Sequence, residues 1–211
     1  MCKGNATCNG RCGKGGTFLS STIEKNGHEK KKAQINPINF QLVGEWACQM
    51  LKLLEKSNIE GSVICKKITG ESINDSFEIL IKQLREQELI GWSNIEGSSL
   101  YEHEIFITQK GICVLNQILE SVDFKRRFIV LIVLLCNNGY LTGGYLEKGL
   151  MKLNCFESKM KVWNVLSMLR NNNFLTDNYE GYTNVEGSFC DLLTLTIEPG
   201  QDIIRFLMKT S

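Results

Sequence analysis

Apolar residues recur at helical spacing from Phe40 to Leu54, with Leu42, Val43, Trp46, Ala47, Met50, Leu51 and Leu54 on one broad face. Asn58 to Gly61 closes this helix. Ser62-Val-Ile-Cys65 is short and β-branched and predicts a strand or an extended link. Ser72, with Asp75 three residues on, predicts a helix start. A stripe through Phe77, Leu80, Ile81 and Leu84 carries that helix to Leu89, and Gly91 is expected to end it. Two strands follow at Ile90–Asn94 and Glu104–Thr108, joined by the glycine-bearing link Glu96-Gly97-Ser98-Ser99. A helix then opens at Gln109-Lys110-Gly111 and runs through Val114, Leu115, Ile118 and Leu119.

The pattern then repeats. Phe124–Asn137 predicts an apolar helix, Gly139–Gly144 a turn and Tyr145–Leu153 a short helix. Ser158 caps a helix holding Val162, Trp163, Leu166, Leu169 and Phe174. Tyr179–Gly187 reads as a polar tip about four residues longer than its counterpart, and Leu192–Ile197 as a strand. Pro199-Gly200 opens a last helix with Ile203, Ile204 and Leu207 on its apolar face. The clearest mark of duplication is Ile81–Trp92 against Leu166–Asp177. In each, a Leu-Arg pair (Leu84-Arg85, Leu169-Arg170) precedes three polar and two apolar residues. Each copy is small, so packing between them through Phe124–Leu135 is expected.

Helix, short strand, helix, hairpin and closing helix resemble the winged-helix plan, over residues 38–120 in the first copy. The segment Leu89-Ile-Gly-Trp92 with Ile107-Thr-Gln-Lys-Gly-Ile-Cys-Val-Leu115 looks like the wing and closing helix of that family. The fold class expected is therefore α+β, mostly helical, with two winged-helix domains in tandem at 35–121 and 122–211. The resemblance implies that the helix before each hairpin is a recognition helix and the hairpin a wing, with double-stranded DNA as partner. It also implies a role in transcription or replication control, of the plasmid or phage kind. Tandem winged helices also serve as protein-interaction modules, as in condensin accessory and endosomal sorting subunits. An assembly adaptor, acting through a protein partner or as a homodimer, is the alternative.

Composition adds little to fold but much to location and partner. With 211 residues, 43% hydrophobic and 22% charged, the chain is ordinary globular material. The net charge is +1, but residues 1–34 carry +5, so the remainder is acidic. That segment reads as a flexible basic tail ending in Lys30-Lys31-Lys32. The longest apolar run, Phe128–Cys136, is too short to span a bilayer, and no signal core opens the chain. No membrane partner is expected. Of the nine cysteines, Cys48, Cys65, Cys113, Cys136, Cys155 and Cys190 are scattered and fit free thiols in a reducing, cytoplasmic compartment.

Candidate chemistry divides into three. Catalysis is not expected: two histidines, no nucleophile elbow and no paired carboxylates leave nothing to build on. Gly10–Thr17 has Cys8 where a phosphate-binding loop needs glycine. Cys2, Cys8 and Cys12 cluster in the tail and offer three soft ligands, one short of a zinc or iron–sulfur set. The expected cofactor is none; a metal- or redox-sensing regulator is the reading those cysteines would support. DNA contact is expected at Ser158, Lys159, Lys161, Asn164 and Arg170, which leave the apolar stripe and form a basic, amide-bearing face. Lys82, Arg85 and the tail lysines Lys30, Lys31 and Lys32 are further candidates. The first copy also carries Asp75, Glu78, Glu86 and Glu88 on the same helix surface, so it is expected to be the poorer DNA reader.

Overall fold

The computed structural model describes residues 37–93, 97–137, 141–154, 156–178, 192–195, 203 and 207. In chain order they form α1 (Pro37–Leu54), β1 (Ile59–Glu60), α2 (Gly61–Thr69), α3 (Asp75–Glu86), β2 (Ile90–Trp92), a 3-10 turn (Leu100–Glu102), β3 (Glu104–Ile107) and α4 (Gln109–Glu120). The second half follows as α5 (Val122–Cys136), β4 (Leu141–Thr142), α6 (Gly143–Lys152), α7 (Lys159–Asn171), β5 (Leu175–Asn178) and β6 (Leu192–Leu195). The architecture is α+β and mostly helical, with two small antiparallel sheets of orders β1-β3-β2 and β4-β6-β5.

The two sheets share one topology. Ile59 pairs with Ile105 and Ile90 with Ile107; in the second half Leu141 pairs with Leu193 and Leu175 with Leu195. By this register the second hairpin is three residues longer than the first.

The hairpin-preceding helices end alike, and not at a glycine. In the first half the Glu88 N–H donates to the Arg85 carbonyl (2.8 Å) and the Leu89 N–H to the Leu84 carbonyl (2.9 Å). In the second half Asn173 donates to Arg170 (2.9 Å) and Phe174 to Leu169 (2.9 Å). This is a Schellman cap, and it requires a left-handed residue. Glu88 (φ 59°) and Asn173 (φ 61°) take that place. The repeated Leu-Arg pair therefore supplies the two carbonyls of the cap. Gly91, expected to end α3, instead sits inside β2 opposite Phe106. Glutamate carries a Cβ penalty in the left-handed region that asparagine partly escapes. Glu88→Gly is therefore expected to stabilise the fold by about 0.5–1 kcal/mol and Asn173→Gly by less. Urea unfolding checks this, and a loss of stability at Glu88→Gly would contradict the assignment.

Two further expectations, in α2 and at the start of α3, are corrected. Ser62–Cys65 is not a strand but the first turns of α2, because helical spacing lets Ile64 and Cys65 bury together while Val63 faces out. The strand is the preceding pair, Ile59–Glu60. Ser72 is not the cap of α3; Asn74 is, in extended conformation, accepting from the Phe77 N–H at 3.1 Å. The Tyr101 hydroxyl accepts from the Asn74 N–H (3.0 Å) and donates to its carbonyl (2.9 Å), tying the 3-10 turn to this helix start.

A single apolar cluster runs through both halves. At its centre is α5, buried on every side from Phe128 to Leu135, as an all-apolar helix must be. It packs on α1, α3 and α4 of the first half and on α7 and β6 of the second. Packing of the halves through this helix is as the sequence predicts. Gly44 on α1 permits close approach to α5: a Cβ there would lie 2.4 Å from Ile129 Cγ2. Around the apolar centre, Lys125 pairs with Glu45 of α1 at 3.3 Å. The buried Arg127 donates to the Leu207 carbonyl at 3.4 Å, anchoring the chain's last described residue. Trp46 is core; Trp92 and Trp163 are half-buried at its edge. Leu119, expected on a buried face, is exposed. Cys48 and Cys65 are buried and Cys113 is exposed. Burial pushes the Cys65 thiol up, which leaves it protonated and unreactive near neutrality.

Candidate nucleic-acid interface

The Ser158 hydroxyl accepts from the Lys161 N–H at 3.4 Å and starts α7. Val162, Leu166 and Leu169 point into the core. Helical geometry then fixes the opposite row: Met160, Asn164, Ser167 and Asn171, all exposed. Lys159 and Arg170 flank this row on one side and Lys161 on the other, and all three are exposed. The row is neutral, with two amides and a hydroxyl, and the cations lie along its borders. Of the residues expected to meet DNA, Lys159, Lys161, Asn164 and Arg170 are thus exposed around α7, and Ser158 caps it.

The same row on α3 has different chemistry. Counting back from the left-handed cap, its exposed positions are Asp75, Ile79, Lys82 and Glu86. Lys82 is held by Glu78 at 2.5 Å across one helical turn. Arg85, beside this row, lies over the Trp92 ring, 3.7 Å from its centroid, a cation–π contact. Trp92 also stacks with His103 at 6.1 Å. Lys82, Arg85, Glu86, Trp92 and Leu100 line an open groove of about 420 Å³ between α3 and the first hairpin. Lys82 and Arg85 are therefore together, but in an acidic setting and with partners already engaged.

The α7 cations have partners too. Lys159 pairs with Glu147 of α6 at 3.1 Å. Glu147 is largely buried and also accepts from Trp163 Nε1 at 2.6 Å. Lys161 pairs closely with Glu157, one helical turn before it. Glu157 additionally lies 3.6 Å from Arg126, whose guanidinium also meets Asp123 at 3.3 Å and sits over the Phe156 ring. The hydrogen bond from Lys161, then the Lys161 and Arg126 charges, hold the Glu157 carboxyl below its ordinary value.

Sequence reasoning missed these counter-charges and the two other polar members of the row. Ser167 and Asn171 were legible at three and seven residues from Asn164. Glu157 was legible at four residues from Lys161. Glu147 and Arg126 were not, because only the fold brings α5 and α6 to this end of α7. The tail candidates Lys30, Lys31, Lys32, Cys2, Cys8 and Cys12 lie outside the described residues. Among the described residues, no group of three or more histidine, cysteine, aspartate or glutamate side chains is placed to hold a metal ion. No helix among them is long and apolar enough to cross a membrane. No family model and no curated protein matches the chain.

Proposed function

We propose that this is a tandem winged-helix protein that binds double-stranded DNA through α7, in transcription or replication control. One observation carries the reading: a neutral row of Asn164, Ser167 and Asn171 bordered on both sides by Lys159, Arg170 and Lys161. A major groove presents bases at its floor and phosphates at its rims. Asparagine matches adenine with two hydrogen bonds at the floor, and lysine and arginine meet phosphates at the rims. The repeated order of α-β-α-α-β-β elements, each ending in a hairpin next to the helix in question, supports the winged-helix assignment.

The test is duplex binding across a salt series. Affinity should fall steeply as salt rises, as it does wherever cations displace condensed counterions. Replacing Lys159, Lys161 and Arg170 together by glutamine should cost roughly 10²-fold or more in affinity at low salt. Replacing Lys82 and Arg85 should cost much less. Equal effects would remove α7 as the reader, and no binding at low salt would end the proposal.

A second reading belongs to the first half. The α3 row is acidic, and Ile79 within it and Ile73 just before the helix are exposed. That surface suits a protein partner better than a phosphate backbone, so an adaptor role for α3 is compatible with DNA reading by α7.

A further inference from the structure

The proposed DNA surface brings its own competitor. Three cations border the α7 row, and two carboxylates, Glu147 and Glu157, already hold two of them. The two acids differ in kind. Glu147 is only 13% exposed and is fixed by Trp163 Nε1, so it belongs to the α6–α7 packing. Glu157 is 69% exposed, lies outside the helix just before its cap, and is held by the cations it pairs with.

We propose that Glu157 occupies the place of a DNA phosphate on Lys161 in the free protein, and so sets the affinity and salt dependence of the α7 interface. This rests on the DNA reading of α7. For a phosphate to reach Lys161, the carboxylate must give up its contact, and its negative charge then stays close to the incoming phosphate. The exchange is possible because an exposed lysine–carboxylate pair is weak. It is unfavourable because two anions then share one neighbourhood. Arg126 has contacts besides Glu157: it meets Asp123 at 3.3 Å and sits over the Phe156 ring. The device lowers the non-specific, charge-driven part of binding and leaves the amide row untouched. Discrimination between sequences therefore gains relative to plain affinity for any duplex.

The experiment compares the full chain with Glu157→Gln on one duplex across a salt series. Glu157→Gln should bind about tenfold tighter near 0.1 M salt, with a salt slope steeper by about one counterion. Its circular dichroism and thermal midpoint should match the parent, since the side chain is exposed. In a Lys161→Gln background the same change should gain little. If Glu157→Gln binds like the parent while the parent binds DNA, the competitor is refuted and the DNA reading stands. If the tenfold gain persists without Lys161, the effect is general charge and not competition at that lysine. If neither protein binds at low salt, both readings fall together.

Discussion

Phe128→Ala should destabilise the protein by about 4 kcal/mol and lower the stability of both halves at once. Phe128 is fully buried on α5, the helix that packs on α1, α3 and α4 on one side and α7 and β6 on the other. Truncation removes most of an aromatic side chain and leaves a cavity in a fully buried site that its packed surroundings fill only in part. The loss is a large share of the roughly 5–15 kcal/mol that keeps a domain folded. Because one apolar cluster serves both halves, unfolding is expected as a single transition. Variants retaining only Trp46 or only Trp163 report each half separately by fluorescence. Two transitions, with only one shifted by Phe128→Ala, would show that the halves are independent and that α5 belongs to one of them.

Gly111→Ala should cost about 3 kcal/mol, unusually much for one added methyl group. Gly111 lies in the first turn of α4, where its N–H donates to the Thr108 hydroxyl at 3.0 Å. A Cβ at this position would meet the Leu89 carbonyl oxygen at 2.1 Å and Ile107 Cγ1 at 2.7 Å. Neither the carbonyl nor its surroundings can give way freely. That carbonyl accepts from the Thr108 N–H at 3.1 Å, and the Leu89 N–H is engaged in the α3 cap. The Thr108 hydroxyl also donates to the Glu88 carbonyl at 2.6 Å. The methyl group would therefore have to push apart the end of α3, the start of β2 and the start of α4. Denaturant unfolding measures the change, and a loss under about 1 kcal/mol would show that this junction yields more than its hydrogen bonds suggest.

The order of the elements other than α2 was readable, from the apolar period in helices such as α1 and α3 and from the unbroken apolar run of α5. The stripe Phe77, Leu80, Ile81 and Leu84 marks α3, and the Leu-Arg repeat marks the end of both helices of its kind. What that repeat encodes was not readable. It resembles a glycine-terminated helix, and the left-handed residue proved to be Glu88, a residue no propensity would choose. Ser62–Cys65 misled for a related reason: its β-branched residues favour a strand in isolation, but tertiary burial of Ile64 and Cys65 at helical spacing outweighs that. At the proposed interface the cations were visible as residues off the stripe. Their restraint was only half visible, since Glu157 is a helical neighbour of Lys161 while Glu147 and Arg126 reach α7 through the fold. The sequence did show that α3 is acidic, and its exposed row has the charge expected.

The burial of α5 has a bearing on synthesis. A helix without a solvent face has no finished state until both of its neighbours exist. As the chain leaves the ribosome, α5 has α1, α3 and α4 to dock on, but α7 and the segment at Leu207 are still to come. At 5–20 residues per second, the stretch from Cys136 to Leu207 takes roughly 4–14 seconds to make. For that interval the face of α5 turned to the second half is bare oil in water.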